Sequence, residues 1–208
     1  MGAKGAGPQL RSRSVDVVFL IDVSGSMLAD AKIQSLNAAL EEALPFLRRA
    51  AAEVAGVESF VRVVTFGSTA AWTVDRPVPL EEFWWDELAA EPRGLTELGA
   101  AIDLVRTSLS DDRRALPPAL ILVTDGMPTD TVAPSFDEAI AQLDAHPVGR
   151  SSSRVAIGIG QDASVAALET FVAATRGEVL RAHDVQHLAN VIGAASFSVM
   201  TQASELAT

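Results

Sequence analysis

The side chains best suited to binding a ligand follow an apolar run near the start of the chain. Asp22, Ser24 and Ser26 stand on alternate positions directly after residues 15–21, which are rich in β-branched side chains. Such a run predicts a strand buried on both faces, in a parallel sheet covered by helices. Ligands of these sheets bind at the carboxyl ends of the strands. Carboxylate and hydroxyl oxygens together are typical ligands of a hard cation, with Mg2+ first among them.

A second apolar run, residues 119–124, predicts another buried strand, and it ends in Asp125. Thr96 lies between the two strands in sequence, in a loop just before a predicted helix. We expect these loops to converge. If the two carboxylates lie ~5 Å apart, they repel each other by on the order of 3 kcal/mol at an effective dielectric of ~20. A shared proton or a divalent cation would offset this repulsion, and the hydroxyls of Ser24, Ser26 and Thr96 could serve as further ligands.

The rest of the chain predicts the elements that would position these residues. Further strands are predicted at 59–66, 70–74, 154–159 and 178–180, and helices after Asp30, after Thr96, and over 135–145, 164–175 and 184–200. Asp30 can cap the first of these helices, and Pro45 should kink it or split it in two. Strands that alternate with helices indicate an α/β fold, with a parallel sheet and helices on both faces. Only Gly67-Ser68 and one further residue separate the strands 59–66 and 70–74, so these two should form an antiparallel hairpin with 70–74 at a sheet edge.

Length and composition indicate one globular domain, which we place at residues 15–200, with tails at 1–14 and 201–208. The chain has 208 residues, no cysteine and a formal charge of -11. The absence of cysteine excludes disulfides and thiol catalysis. The negative charge argues against nucleic acid or an anionic membrane as the main partner. No apolar stretch reaches the ~20 residues of a membrane helix. We therefore expect a cytoplasmic protein that binds neither nucleic acid nor membrane.

Three short motifs, taken together, resemble the metal-ion-dependent adhesion site (MIDAS) of von Willebrand factor A (vWA) domains. They are Asp22-x-Ser24-x-Ser26, Gly94-x-Thr96 and Thr124-Asp125-Gly126. The resemblance covers about residues 15–200. It implies a Rossmann-like, doubly wound, mostly parallel six-stranded sheet with one antiparallel edge strand, in agreement with the predicted hairpin.

The resemblance also implies a site and a function. Ser24, Ser26 and Thr96 would contact Mg2+ directly, with Mn2+ or Ca2+ as alternatives, while Asp22 and Asp125 would hold the ion partly through waters. A partner protein would complete the coordination with an Asp or Glu side chain. The compact, cysteine-free form is similar to bacterial stand-alone TerY-like proteins of tellurite-resistance and stress operons. A kinase, a phosphatase or a stress-response component from such an operon would then be the partner, and the chain would not be an enzyme.

Other interpretations of the same residues stay open at this point. Asp, Ser and Thr beside glycine also serve simply as turn residues. A metal-dependent phosphohydrolase could use Asp22 and Asp125, but such a mechanism resembles one with a general acid two residues after the nucleophile, where this chain has Ser24. Two imidazoles four residues apart, His183 and His187, could share a zinc ion, although no third ligand is evident.

Trp84 and Trp85 are adjacent and therefore point in different directions. We expect one of them to be partly exposed, either as a binding anchor or as a residue at the margin of the core.

Overall fold

The computed structural model describes residues 13–54, 56–110, 115–160, 163–175, 177–182, 187–195 and 198. The strands are β1 (Arg13–Asp22), β2 (Val57–Phe66), β3 (Ala70–Pro79), β4 (Ala119–Thr124), β5 (Ser153–Ile159) and β6 (Glu178–Ala182). The helices are α1 (Lys32–Glu53), α2 (Leu98–Ser108), α3 (Phe136–Ala145), α4 (Pro147–Arg150) and α5 (Val165–Val172). A 3-10 segment covers Gly25–Ala31, and residues 187–195 are helical.

The six strands form one sheet in the order β3-β2-β1-β4-β5-β6. All neighbours pair in parallel except β2 and β3, which pair antiparallel, so β3 is the antiparallel edge strand. This confirms the predicted Rossmann-like, doubly wound, mostly parallel sheet. The strand order reverses between β1 and β4, and ligands of open α/β sheets bind outside the carboxyl ends of the strands at such a point. Asp22 and Asp125 lie there.

The alternation of side chains along β1 divides the core between the two faces of the sheet. Val17, Phe19 and Ile21 pack in a cluster with apolar residues of α1 and of the helical residues 187–195. Val18 and Leu20 pack in a second cluster with residues of α2, α3 and α5. A strand covered on both faces needs a continuous apolar sequence, and this is why β1 and β4 were recognisable as buried strands.

The start of α1 differs from the prediction. Asp30 does not cap the helix: the residue before its first turn is Ala31, and no side chain caps it. Asp30 and Ala31 instead have positive φ angles of 51° and 54°. Pro45 lies inside α1, which runs unbroken over 22 residues, so the helix is not split in two.

The two adjacent tryptophans lie in different environments. Trp85 packs edge-on against Phe19 and Phe83, with ring centroids 5.0 Å and 4.8 Å away. Trp84 is 73% exposed, and the guanidinium carbon of Arg48 lies 4.7 Å from its ring centroid. Trp85 therefore belongs to the core margin, and Trp84 is the exposed member of the pair.

Some predicted features lie outside the described residues. These are His183, residues 1–12 of the predicted N-terminal tail, and the C-terminal tail. Residues 13 and 14 begin β1, two residues before the predicted start of the domain. Within the described ranges, no helix combines the length and the apolar character needed to cross a membrane.

Candidate metal centre

Asp22 ends β1 with both carboxylate oxygens engaged. The backbone N–H of Ser24 donates to Oδ1 at 2.8 Å, and the hydroxyl of Thr124 donates to Oδ2 at 2.5 Å. The residue is completely buried. Burial raises the pKa of Asp22, hydrogen bonds from Ser24 and Thr124 partly oppose that rise, and the charge of Asp125 adds to it. The carboxylate is thus held in one orientation at the end of the central strand.

Hydrogen bonds connect the loop after β1 to the end of β4. The Ser26 hydroxyl donates to Asp125 Oδ1 at 2.6 Å, and the hydroxyl oxygens of Ser24 and Ser26 lie 3.0 Å apart. Asp22 joins the group through its contact with the Ser24 backbone. Four of the five predicted metal ligands, Asp22, Ser24, Ser26 and Asp125, therefore form one hydrogen-bonded cluster.

The fifth predicted ligand, Thr96, lies in the loop that packs against this cluster. The N–H of Gly25 donates to the carbonyl of Gly94 at 3.1 Å, and a Cβ on Gly25 would lie 3.0 Å from the backbone nitrogen of Arg93. Only glycine allows so close an approach without displacement of a neighbour. Thr96 is buried, and in the part of the chain that the structure describes no hydrogen bond joins its hydroxyl to the other four residues.

Lys32 is a member of the site that the sequence interpretation missed. Its Nζ lies 2.6 Å from Asp125 Oδ2, where it forms an ion pair with a carboxylate that is fully shielded from solvent. Two signals could have pointed to it. Lys32 follows the Ser26 loop by a few residues, and it is one of only two lysines in the chain, the other being Lys4.

Glu97 fastens the loop after β4 to the start of α2. Its fully buried carboxylate accepts hydrogen bonds from the Thr131 hydroxyl, from the Thr131 N–H at 2.8 Å and from the Val132 N–H at 3.4 Å. Burial alone would raise the pKa of Glu97, but these hydrogen bonds outweigh it and lower that pKa below its ordinary value. The sequence interpretation also missed this residue, although it directly follows Thr96.

Asp130 and Thr129 make further hydrogen bonds between the loop after β4 and the start of α2. Asp130 accepts from the N–H groups of Gly99 at 2.8 Å and Phe136 at 2.7 Å, at the first turns of α2 and α3. Thr96 and Thr129 exchange two further hydrogen bonds of 2.8 Å and 3.0 Å. Hydrogen bonds between protein groups thereby join the loops that carry Thr96 and Asp125.

The donors of this site fit a small, hard cation. They are the oxygens of two carboxylates, Asp22 and Asp125, and of the hydroxyls described above. Across the described ranges there is no group of three or more His, Cys, Asp or Glu residues arranged for metal binding. A metal ion here would therefore depend on hydroxyl oxygens and on waters, which Mg2+ retains readily.

Comparison with known proteins gives consistent matches. A family model for the von Willebrand factor type A domain matches residues 17–127. A von Willebrand factor type A protein from Catenulispora acidiphila is similar in structure, with a TM-score of 0.69, 20% identity and coverage of 91% of this chain and 43% of that chain. Proximal thread matrix protein 1 from the mussel byssus, in a structure described as having a zinc-occupied MIDAS motif, has a TM-score of 0.63, 16% identity and coverage of 91% and 46%.

The PilB minor pilin from Streptococcus sanguinis is also similar, with a TM-score of 0.69, 14% identity and coverage of 94% of this chain and 63% of the pilin. A comparison with curated proteins found no match. This chain spans less than half the length of the Catenulispora and mussel proteins. These structures support the fold, and the family model supports the family.

Proposed function

This chain belongs to the von Willebrand factor type A family, and we propose that it is a Mg2+-dependent module that binds an acidic side chain of a partner protein. Domains of this family generally mediate protein–protein interactions. In our proposal, Ser24, Ser26 and Thr96 contact the ion directly, and Asp22 and Asp125 hold it partly through waters. The bound ion would supply a positive centre for a carboxylate, and Mn2+ or Ca2+ could take its place.

One observation above all supports this proposal. Two buried carboxylates at the ends of different strands, Asp22 and Asp125, are connected through the backbone N–H and hydroxyl of Ser24 and the hydroxyl of Ser26, at the point where the strand order reverses. Turn residues that serve only their own loops would hydrogen bond to nearby backbone groups. The Ser26 hydroxyl instead reaches a carboxylate 99 residues away, which favours a shared site.

The proposed setting is a bacterial tellurite-resistance or stress-response system, with a cytoplasmic TerY-like protein acting on an operon-encoded kinase, phosphatase or stress protein. The likeness of the compact, cysteine-free form and of the stretch at residues 94–99 to TerY-like proteins supports this setting. With a formal charge of -11, the chain would not attract an acidic partner over long distances. Recognition would therefore depend on the metal and on local shape.

We propose that the chain is not an enzyme. Asp22, the residue that would attack a phosphate ester, already accepts two hydrogen bonds, and its neighbour Ser24 cannot protonate a leaving group near neutral pH. No turnover of p-nitrophenyl phosphate with Mg2+ is expected. Turnover that disappears in an Asp22→Asn variant would overturn this part of the proposal.

Titration calorimetry with Mg2+ tests the site. The wild-type protein should bind Mg2+, and Ser24→Ala should lose at least about tenfold in affinity, since one ligand is removed. The matched control is Ser151→Ala, which removes an exposed hydroxyl that only contacts the Pro147 carbonyl. If Mg2+ does not bind, or if both variants bind it equally well, the proposed site is wrong.

Partner capture tests the function. Wild-type protein and the Ser24→Ala and Ser151→Ala variants are immobilised and exposed to lysate, in the presence of Mg2+ or of EDTA. A partner should be retained by wild-type protein and by Ser151→Ala with Mg2+, and lost with EDTA or with Ser24→Ala. If the partner is retained equally well with EDTA and by Ser24→Ala, metal-dependent binding is refuted.

A further inference from the structure

We propose that Lys32 is a built-in counter-cation of the metal site. Its ammonium group neutralises Asp125 when no metal is bound, and it competes with a divalent cation for that carboxylate. The inference rests on the proposed function, because it assumes that the cluster around Asp22 and Asp125 takes a metal ion. Lys32 would then act as a weaker, monovalent substitute for the metal ion beside Asp125.

Lys32 and Asp125 form a direct, largely buried ion pair. Lys32 Nζ and Asp125 Oδ2 are 2.6 Å apart, and the side chains are 14% and 0% exposed, respectively. The other oxygen of Asp125 accepts the hydrogen bond from Ser26. Each oxygen of Asp125 therefore already accepts a hydrogen bond from a protein group. A cation that binds Asp125 directly or through a water would compete with Lys32 and Ser26 for these oxygens.

Lys32 occupies an unfavourable position in its helix. It is the first residue of α1, where the helix dipole disfavours a positive charge. The two residues before it, Asp30 and Ala31, both have positive φ angles, which cost energy for residues other than glycine. Neither feature helps to form the helix. Both are accounted for if the backbone here is shaped to direct Lys32 onto Asp125.

Lys32 and a divalent ion would be two positive charges in the same site. Asp22 and Asp125 would carry two negative charges against the single positive charge of Lys32. A divalent ion beside Asp125 would lie close to an ammonium group of the same sign and would be repelled by it. Binding of the ion should therefore require Lys32 to leave Asp125. The energy of the broken ion pair is subtracted from the affinity for the metal.

The experiment measures Mg2+ affinity by calorimetry and urea unfolding of the metal-free protein, for the wild type and three variants. Lys32→Met removes the charge at similar side-chain length, and Lys32→Arg keeps it. Arg76→Gln is the charge-matched control, since it removes an exposed positive charge from the edge strand β3, which β2 separates from Asp22.

We expect Lys32→Met to bind Mg2+ at least about tenfold more tightly than wild type, with Lys32→Arg and Arg76→Gln within about threefold of wild type. Without metal, Lys32→Met should unfold at a lower urea concentration than wild type, because Asp125 is left buried without a counter-charge. Saturating Mg2+ should abolish this difference in stability.

The outcomes separate this inference from the proposed function. If wild type binds Mg2+, Ser24→Ala does not, and Lys32→Met matches wild type or binds more weakly, the site stands and the role of Lys32 is refuted. If Lys32→Met binds Mg2+ and wild type does not, the inference stands and the metal dependence of the native chain is refuted. If neither binds, both proposals fail.

Discussion

Replacing Glu97 by alanine should lower the free energy of unfolding by about 2–3 kcal/mol. Glu97 accepts two short hydrogen bonds from Thr131 and a longer one from Val132. Hydrogen bonds to a charged group contribute about 1.5–3 kcal/mol each, so the two short ones would suggest about 3–6 kcal/mol. Thr131 and Val132 are themselves exposed, however, and water can reach their N–H groups once the loop is released. This rehydration offsets part of the loss, so the expected decrease in the free energy of unfolding is about 2–3 kcal/mol.

The charge of Glu97 makes this contribution depend on pH. The pKa of Glu97 is lowered in the folded protein from a reference value of 4.5, so the stabilisation is present above that value and is lost as the pH falls through the folded-state pKa. Glu97→Gln keeps an acceptor oxygen but loses the charge, and should cost about 1 kcal/mol at pH 7. The stability difference between wild type and Glu97→Gln should therefore shrink between pH 7 and pH 3.

Urea unfolding followed by tryptophan fluorescence measures these differences. Glu87→Ala, which removes an exposed carboxylate, serves as the control and should change stability by less than about 0.5 kcal/mol. If Glu97→Ala costs no more than this control, the hydrogen bonds to Glu97 do not stabilise the fold. If the difference between wild type and Glu97→Gln grows towards acid pH, the folded state favours the protonated carboxyl, which contradicts the lowered pKa of Glu97.

Four further substitutions are measured by the same unfolding assay. Thr124→Val removes the donor to Asp22 and should cost about 1–3 kcal/mol; no loss would mean that this hydrogen bond contributes nothing net. Trp85→Ala should lower the free energy of unfolding by about 3–5 kcal/mol, and Trp84→Ala by less than about 1 kcal/mol. Equal losses would contradict the placement of Trp85 in the core margin. Gly99→Ala should cost at least about 2 kcal/mol, because its methyl group would lie 2.3 Å from a backbone carbonyl oxygen of the loop before α3. An unchanged urea midpoint would show that this loop can move aside without loss of stability.

The part of the fold that was predictable is the part governed by local patterns. β1 and β4 are continuous apolar runs because helices cover both of their faces, and this pattern is visible without any knowledge of the neighbours. The position of Asp22 and Asp125 then follows from the rule that parallel strands carry their sites at the carboxyl end. The hairpin between β2 and β3 follows from the shortness of its connection.

What could not be predicted depends on backbone geometry or on tertiary contacts. β3 extends to Pro79, five residues beyond the predicted end at Val74, because an edge strand tolerates proline on its unpaired side. Asp30 and Ala31 have positive φ angles although neither is glycine, so the sequence does not indicate this turn. Asp30 was therefore interpreted as a helix cap. Lys32 was overlooked although it lies close to Ser26 in sequence, because the turn that directs it towards Asp125 leaves no pattern in the sequence.

Glu97 and Lys32 together suggest why the site has its shape before any ion is considered. Glu97 holds the loop after β4 against the start of α2, and Lys32 supplies the positive charge that Asp125 requires. A metal ion that bound here would find the loops already in place, so little of its binding energy would be spent on ordering them. It would instead be spent on displacing an ammonium group. On this view a competition between two cations sets the affinity for the metal. Substitution of Lys32 alone, at the start of α1, should then be enough to change that affinity.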